Sequence, residues 1–119
     1  MTDSARVTDC LFCRIVAGEI PATVVRRGDG FLAFEDIAPK APVHLLVIPE
    51  RHVDSIGDFA SLDADERAAM MSFVVAVATD AGLDDSGYRI TTNHGPDARQ
   101  SIPHLHWHVM GGTRLSDTM

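Results

Sequence analysis

Ile102-Pro103-His104-Leu105-His106-Trp107-His108-Val109-Met110 alternates between two kinds of side chain, and that alternation decides the fold. In extended backbone, residues two apart share a face. His104, His106 and His108 therefore line one side of a strand over 102–110, and Leu105, Trp107 and Val109 line the other. Upstream, Asp63-Ala64-Asp65-Glu66 reads as a capping box, with Glu66 three residues after the N-cap carboxylate. Met70, Phe73, Val74, Val77, Ala78 and Ala81 then recur at spacings of three and four. They predict an amphipathic helix of about five turns that stops near Gly82, its apolar stripe forming core.

The remaining elements follow from shorter signals. Val43–Ile48 is a nearly continuous apolar run, which fits a central strand closed by Pro49. Thr23–Arg27 and Phe31–Glu35 flank Gly28-Asp29-Gly30 and read as a hairpin. Tyr88–Thr92 is a further strand, joined to the histidine strand through a loop containing Gly95-Pro96. Leu11, Phe12, Ile15 and Val16 predict a short helix ending at Gly18, with Pro21 marking the exit. The order is helix, three strands, long helix, two strands. It predicts an α+β fold: a five-stranded antiparallel sheet with one long helix and a short N-terminal helix. Residues 1–9 read as a loosely ordered N-terminus, 10–112 as one domain and 113–119 as a C-terminal tail.

Composition narrows the function. The 119 residues are 45% hydrophobic and 23% charged, ordinary for a globular domain. A net charge of −7 repels nucleic acid and anionic membranes. A small phosphorylated ligand is still compatible, because a local nest of N–H groups and imidazoles outweighs the global field. No apolar run reaches the roughly 20 residues needed to span a bilayer. Met1-Thr2-Asp3-Ser4 lacks the basic and apolar regions of a signal peptide, so the expected location is cytoplasmic.

Three of the six histidines fall within five positions. Each buried imidazole needs a partner or water, and Val or Ile would fill a core strand at lower cost. The residues alone leave three uses open: a metal site, a set of satisfied core histidines, or nucleophilic catalysis. Cys10-Leu11-Phe12-Cys13 is likewise open between a metal clip, a redox pair and two small buried hydrophobes. Two thiolates at this spacing are common in tetrahedral zinc sites, but two ligands are not four.

The motif His104-Leu105-His106-Trp107-His108-Val109-Met110, followed by Gly111-Gly112, resembles the signature of the histidine-triad (HIT) family. The resemblance extends over nearly the whole chain. It includes Cys10–Pro21, Phe34-Glu35-Asp36-Ile37-Ala38-Pro39, His44-Leu45-Leu46-Val47-Ile48-Pro49 and Gln100-Ser101, motifs of the Hint-like branch. That branch contains small nucleoside phosphoramidases and related AMP-hydrolases. The resemblance implies that His106 attacks the α-phosphorus of an AMP or GMP conjugate, giving a nucleotidyl-histidine that water hydrolyses. A neutral imidazole suits this role, since its unperturbed pKa of about 6.5 leaves it unprotonated near pH 7. His108 would donate to the phosphate or bridging atom, Ser101 would stand near the leaving group, and His44 would orient the site. Read alone, His44 is equally a satisfied core histidine.

For the nucleotide, the resemblance implies that Asp36 binds ribose hydroxyls, and a carboxylate suits a cis-diol because it only accepts. Phe12, Ile15, Ile20, Phe34 and Ile37 match positions that sandwich the base, although unaided they read as core. Asn93 matches a loop asparagine near the phosphate, and Gln100 with Ser101 matches the phosphate cradle. Some bacterial relatives bind structural zinc, which here implies Cys10, Cys13, His52 and His104 as ligands. A zinc-bound imidazole has its lone pair engaged, which leaves His106 for chemistry. The resemblance also implies a homodimer, paired through the long helix and the sheet edge.

Two departures stand out. Arg99 replaces a glycine of the relatives, which alters the anion-binding loop or brings Arg99 onto the leaving group. The tail Thr113–Met119 lacks the Trp-Pro-Pro ending of animal relatives. The expected activity is cleavage of nucleoside 5′-phosphoramidates or related conjugates. Two other readings compete with it. One is a dinucleoside polyphosphate hydrolase or nucleotide phosphorylase, the other a nucleotide-binding scaffold with little turnover.

Overall fold

The run Val43–Pro49 forms the middle strand of the sheet and is buried along almost its whole length. The computed structural model describes residues 9–117. The N-terminal stretch expected to be loose lies, apart from Asp9, outside the described residues, as do the last two residues of the tail. Strands β1 (Val24–Gly28), β2 (Phe31–Glu35), β3 (Val43–Pro49), β4 (Tyr88–Thr91) and β5 (Trp107–Gly111) form one sheet in the order β1-β2-β3-β5-β4. Every neighbouring pair is antiparallel. Helices α1 (Leu11–Val16) and α2 (Ala64–Asp80) complete the α+β fold expected from the sequence.

Both faces of β2 and β3 are covered, which explains why they read as apolar runs. Phe31, Ala33, Leu45, Val47 and Val109 pack under α2, against Met70, Phe73, Val74, Val77 and Ala78. Leu32, Phe34, Leu46 and Ile48 face the other way and pack with Phe12, Cys10 and Cys13 at α1. Because α1 has only six residues, it covers part of that second face. His44 and His108 share the face farther along, since His44 pairs with Met110, and Leu46 with His108.

The end signals act as read. The Asp63 side chain accepts from the Glu66 N–H at 2.8 Å while Glu66 returns a bond to the Asp63 N–H. At the far end Gly82 has φ 77°, and the N–H groups of Gly82 and Leu83 reach the carbonyls of Thr79 and Ala78. That Schellman pair closes α2 and drops Leu83 into the core. Asp29 and Gly30 both have positive φ, giving the two-residue turn whose twist matches a hairpin.

Two elements differ from expectation. The last strand begins at Trp107, not Ile102, so His104 and His106 lie in the extended approach to β5. Pro103 lacks an N–H, and the His104 N–H turns back to the Ile102 carbonyl at 2.8 Å, which keeps this stretch out of the ladder. β4 stops at Thr91, and the Thr92 hydroxyl continues the contact by donating to the His106 carbonyl at 2.7 Å. Alternation survives without the ladder, because Leu105 is fully buried on the α2 side. The second difference is a 3₁₀ segment, Ile56–Ser61, where no element was read. Among the described residues no helix is long and apolar enough to cross a membrane.

Candidate active site and metal centre

The three histidines of the motif divide between two neighbouring sites. His106 is 6% exposed, and its Nδ1 lies 2.7 Å from the His104 carbonyl oxygen. A carbonyl can only accept, so Nδ1 carries the ring proton. Nε2 therefore holds the lone pair, and His106 borders a cleft of about 610 Å³. Phe12 meets the ring edge-on at 5.2 Å and fixes its plane.

Beside it runs a row of hydrogen bonds with one direction. The Lys40 backbone N–H donates to His44 Nδ1 at 3.0 Å, which places the His44 proton on Nε2. His44 Nε2 then donates to His108 Nδ1 at 2.9 Å. His108 is left with a proton on Nε2, making it a hydrogen-bond donor. Burial, with the neighbouring His106 and His44, holds the His108 pKa down to about 4, so the ring is neutral near pH 7. Burial also lowers His44, against the pull of Asp36, whose carboxylate lies 3.4 Å from Nε2. Asp36, His44 and His108 cluster closely enough to suggest a cation, but the bond between the rings already engages the facing nitrogens.

These shifts fix a pH dependence. Between about pH 6.5 and 4 the unfolded chain protonates a His108 that the folded chain keeps neutral. Stability from this group is therefore complete above that window and is lost as pH falls through it. Urea midpoints should drop from pH 7 to pH 4.5, and His108→Gln should flatten the slope. A slope unchanged in His108→Gln would assign the dependence to other groups.

The cleft gathers sequence-predicted residues unevenly. Asn93 and Ser101 border it together with His44, His106 and His108. Phe12, Ile15, Ile20, Phe34, Asp36, Ile37 and Gln100 do not. Phe12 and Phe34 are each 3% exposed and pack edge to face at 5.6 Å. Ile15 and Ile20 are partly buried, and Ile37 is 98% exposed. Gln100 directs its amide into the protein, accepting from the Gly95 N–H and donating to the Asp54 and Ile102 carbonyls. It braces the 93–101 loop. A second brace escaped the sequence reading: His94 Nδ1 lies 2.6 Å from the buried Ser55 hydroxyl, and the ring covers Gly57 so closely that a Cβ there would meet it at 2.6 Å. Lys40, Arg89, Thr91 and Arg99 also border the cleft. The period-2 pairing could have found two of these, since Arg89 pairs with Met110 and Thr91 with His108.

The four residues of the implied zinc clip converge. Cys10 Sγ lies 3.3 Å and Cys13 Sγ 3.6 Å from His104 Nδ1, and Cys13 Sγ lies 3.3 Å from His52 Nδ1. All four donor atoms fall within 4.8 Å of one another. Zinc bonds of about 2.3 Å to sulfur and 2.1 Å to nitrogen place tetrahedral neighbours about 3.6 Å apart, so the residues fit the ion. The opposite nitrogens are held as metal-binding histidines require: His104 Nε2 donates to the Pro49 carbonyl at 2.9 Å, and His52 Nε2 meets Asp54 at 2.7 Å. Burial holds His104 at about 4, so it is neutral with its lone pair available.

The chain is similar to known proteins over most of its length. The HIT domain family pattern matches residues 17–115. An uncharacterised 13.2 kDa HIT-like protein of Azospirillum brasilense is 45% identical over 106 residues, spanning 88% of this chain and 87% of its own. A HIT family hydrolase from Clostridium thermocellum superposes with a TM-score of 0.86 at 34% identity, over 92% of this chain and 96% of the other. A histidine triad nucleotide-binding protein from Candida albicans superposes at 0.76 with 26% identity, over 92% and 85% of the two chains. The shared sheet, the three alternating imidazoles and a match over most of its length place this chain in the HIT family.

Proposed function

We propose that the protein is a nucleotide hydrolase that displaces the leaving group of a purine nucleoside 5′-phosphoramidate, or a related AMP or GMP conjugate, through a nucleotidyl-His106 intermediate. The observation that carries this reading is the 2.7 Å bond from His106 Nδ1 to the His104 carbonyl, which leaves the lone pair on Nε2 of a ring that borders the cleft. His106 Nε2 forms the new bond to phosphorus as the phosphorus–nitrogen bond breaks. The ring becomes cationic and keeps its Nδ1 proton, which the His104 carbonyl stabilises. His108 Nε2 donates to a phosphoryl oxygen as charge builds on it, and its partner His44 holds it in the donating tautomer. Ser101, on the cleft wall, passes a proton to the departing nitrogen and recovers one from water. Water then breaks the bond to His106, so the sum is conjugate plus water giving nucleoside monophosphate plus amine.

The nucleoside end of this reading rests on Asp36 and Ile37. Ile37 is an apolar side chain left 98% exposed next to a carboxylate, which suits a base over one and ribose hydroxyls on the other. Zinc held by Cys10, Cys13, His52 and His104 would be structural, with all four positions filled. Thiolates kept for a metal fit a reducing cytoplasm. Met71 and Val75, 38% and 49% exposed on the outer side of α2, support pairing of two copies through that helix.

Rapid quenching with adenosine 5′-phosphoramidate labelled at phosphorus tests the covalent step. Acid-labile, base-stable label on His106 within the first turnover is the expected result. Steady turnover with no trapped label on any histidine would overturn the intermediate. Tight AMP binding without turnover would favour a scaffold.

A further inference from the structure

We propose that the cleft selects a conjugate whose leaving group itself carries an anion, a carboxylate or a phosphate, and that Arg99 is the residue that reads it. The proposal deepens the hydrolase reading and rests on it for the scissile bond. Its basis is a local reversal of charge. The chain has 17 acidic and 10 basic residues, yet Lys40, Arg89 and Arg99 all border the cleft that His106 and His108 share, where no carboxylate among the described residues lines the wall and the nearby Asp36 is set against His44 at 3.4 Å. They arrive from three places: the β2–β3 loop, the edge strand β4 and the 93–101 loop. Chance along one helix or strand does not produce that convergence.

The partners of the cations sharpen the point. Arg14, Arg26, Arg27 and Arg51 each have a carboxylate within ion-pair distance. Arg89 donates to the Ser116 carbonyl and has no side-chain ion pair among the described residues. Lys40 and Arg99 have no side-chain ion pair among the described residues. An α-phosphate brings little charge and already has Ser101, Asn93 and the His108 N–H on the same wall. Three cations exceed what it needs, and the surplus matches a second anion beyond the scissile bond.

Arg99 is singled out by its backbone. Its φ is 62°, in the left-handed region that disfavours residues with a Cβ. Arg99 borders the cleft in this conformation, which glycine would adopt without strain. A long planar cation in that position can reach past the α-phosphate and take a carboxylate or phosphate with two parallel hydrogen bonds.

The test uses the full chain and three adenosine 5′-phosphoramidates of matched size. Their amines are β-alanine, β-alanine amide and 2-aminoethylphosphonate. In the wild type, kcat/KM for at least one anionic substrate should exceed that for the neutral amide by about fivefold at low salt, the size of one partly exposed ion pair. The carboxylate and phosphonate arms show which anion the wall prefers. Arg99→Gly, chosen because glycine accepts φ 62°, should bring the ratio to near one and leave the amide substrate unchanged. Equal rates in the wild type, or a ratio that survives Arg99→Gly, would overturn the proposal. So would a parallel fall on all three substrates, which would assign Arg99 to the α-phosphate or the loop. Should none of the three turn over, the hydrolase reading fails, and AMP and ADP titrations still decide the charge preference. ADP binding about fivefold tighter than AMP, lost in Arg99→Gly, sustains the cationic wall, whereas equal binding ends it.

Discussion

Replacing His106 with alanine should lower kcat by about a thousandfold or more, with circular dichroism and chromatographic behaviour unchanged. The size follows from the role: a nucleophile removed takes the whole covalent route with it, and what survives is the binding and electrostatic help given to direct attack by water. The fold should tolerate the change, because His106 lies ahead of β5 and its ring makes one side-chain-to-backbone bond and edge contacts with Phe12 and His108. Leu105, whose burial is complete, holds the adjacent backbone through its own N–H bond to Val53 at 2.6 Å. Steady-state rates on adenosine 5′-phosphoramidate check this. Retention of more than a tenth of the wild-type rate would remove His106 as nucleophile.

Stripping metal should have the largest effect on stability. Protein purified without chelator is expected to carry about one zinc per chain, and removing it should lower Tm by about 10 °C or more. Two sulfurs and two imidazole nitrogens within 4.8 Å of one another, mostly buried, lose the ion that holds them together. The clip ties α1 to the loop after β3 and to the approach to β5, three segments far apart in sequence. Cys13→Ser should reproduce most of the loss, since a hydroxyl is a poor zinc ligand at this pH. Elemental analysis showing less than about 0.2 zinc per chain, with no change in Tm on chelation, would dismiss the clip.

Much of this was legible before any coordinates. The capping box at Asp63 and Glu66, the double-sided run Val43–Pro49 and the Asp29-Gly30 turn are local signals, and each acts locally. The start of the last strand was not, because a ladder needs a neighbour: β3 and β4 offer pairing only as far as Trp107 and His108. Alternation in the sequence reports side-chain direction, which extended backbone keeps with or without a ladder. The four zinc-clip positions followed from resemblance, and their convergence required the loop at His52 to fold back, which spacing alone does not encode. The basic rim of the cleft was hidden for a similar reason, as Lys40, Arg89 and Arg99 are far apart along an acidic chain. Gln100 shows the converse: a residue matched to the phosphate cradle by position uses its side chain to hold the loop.

The amide of Lys40 sets a limit on proton traffic. A peptide N–H does not surrender its hydrogen at ordinary pH, so the row from Lys40 through His44 to His108 begins at a backbone amide that passes no proton on. It works as a fixed string of dipoles and not as a wire. A proton exchanged at His108 therefore does not pass through the Lys40 amide.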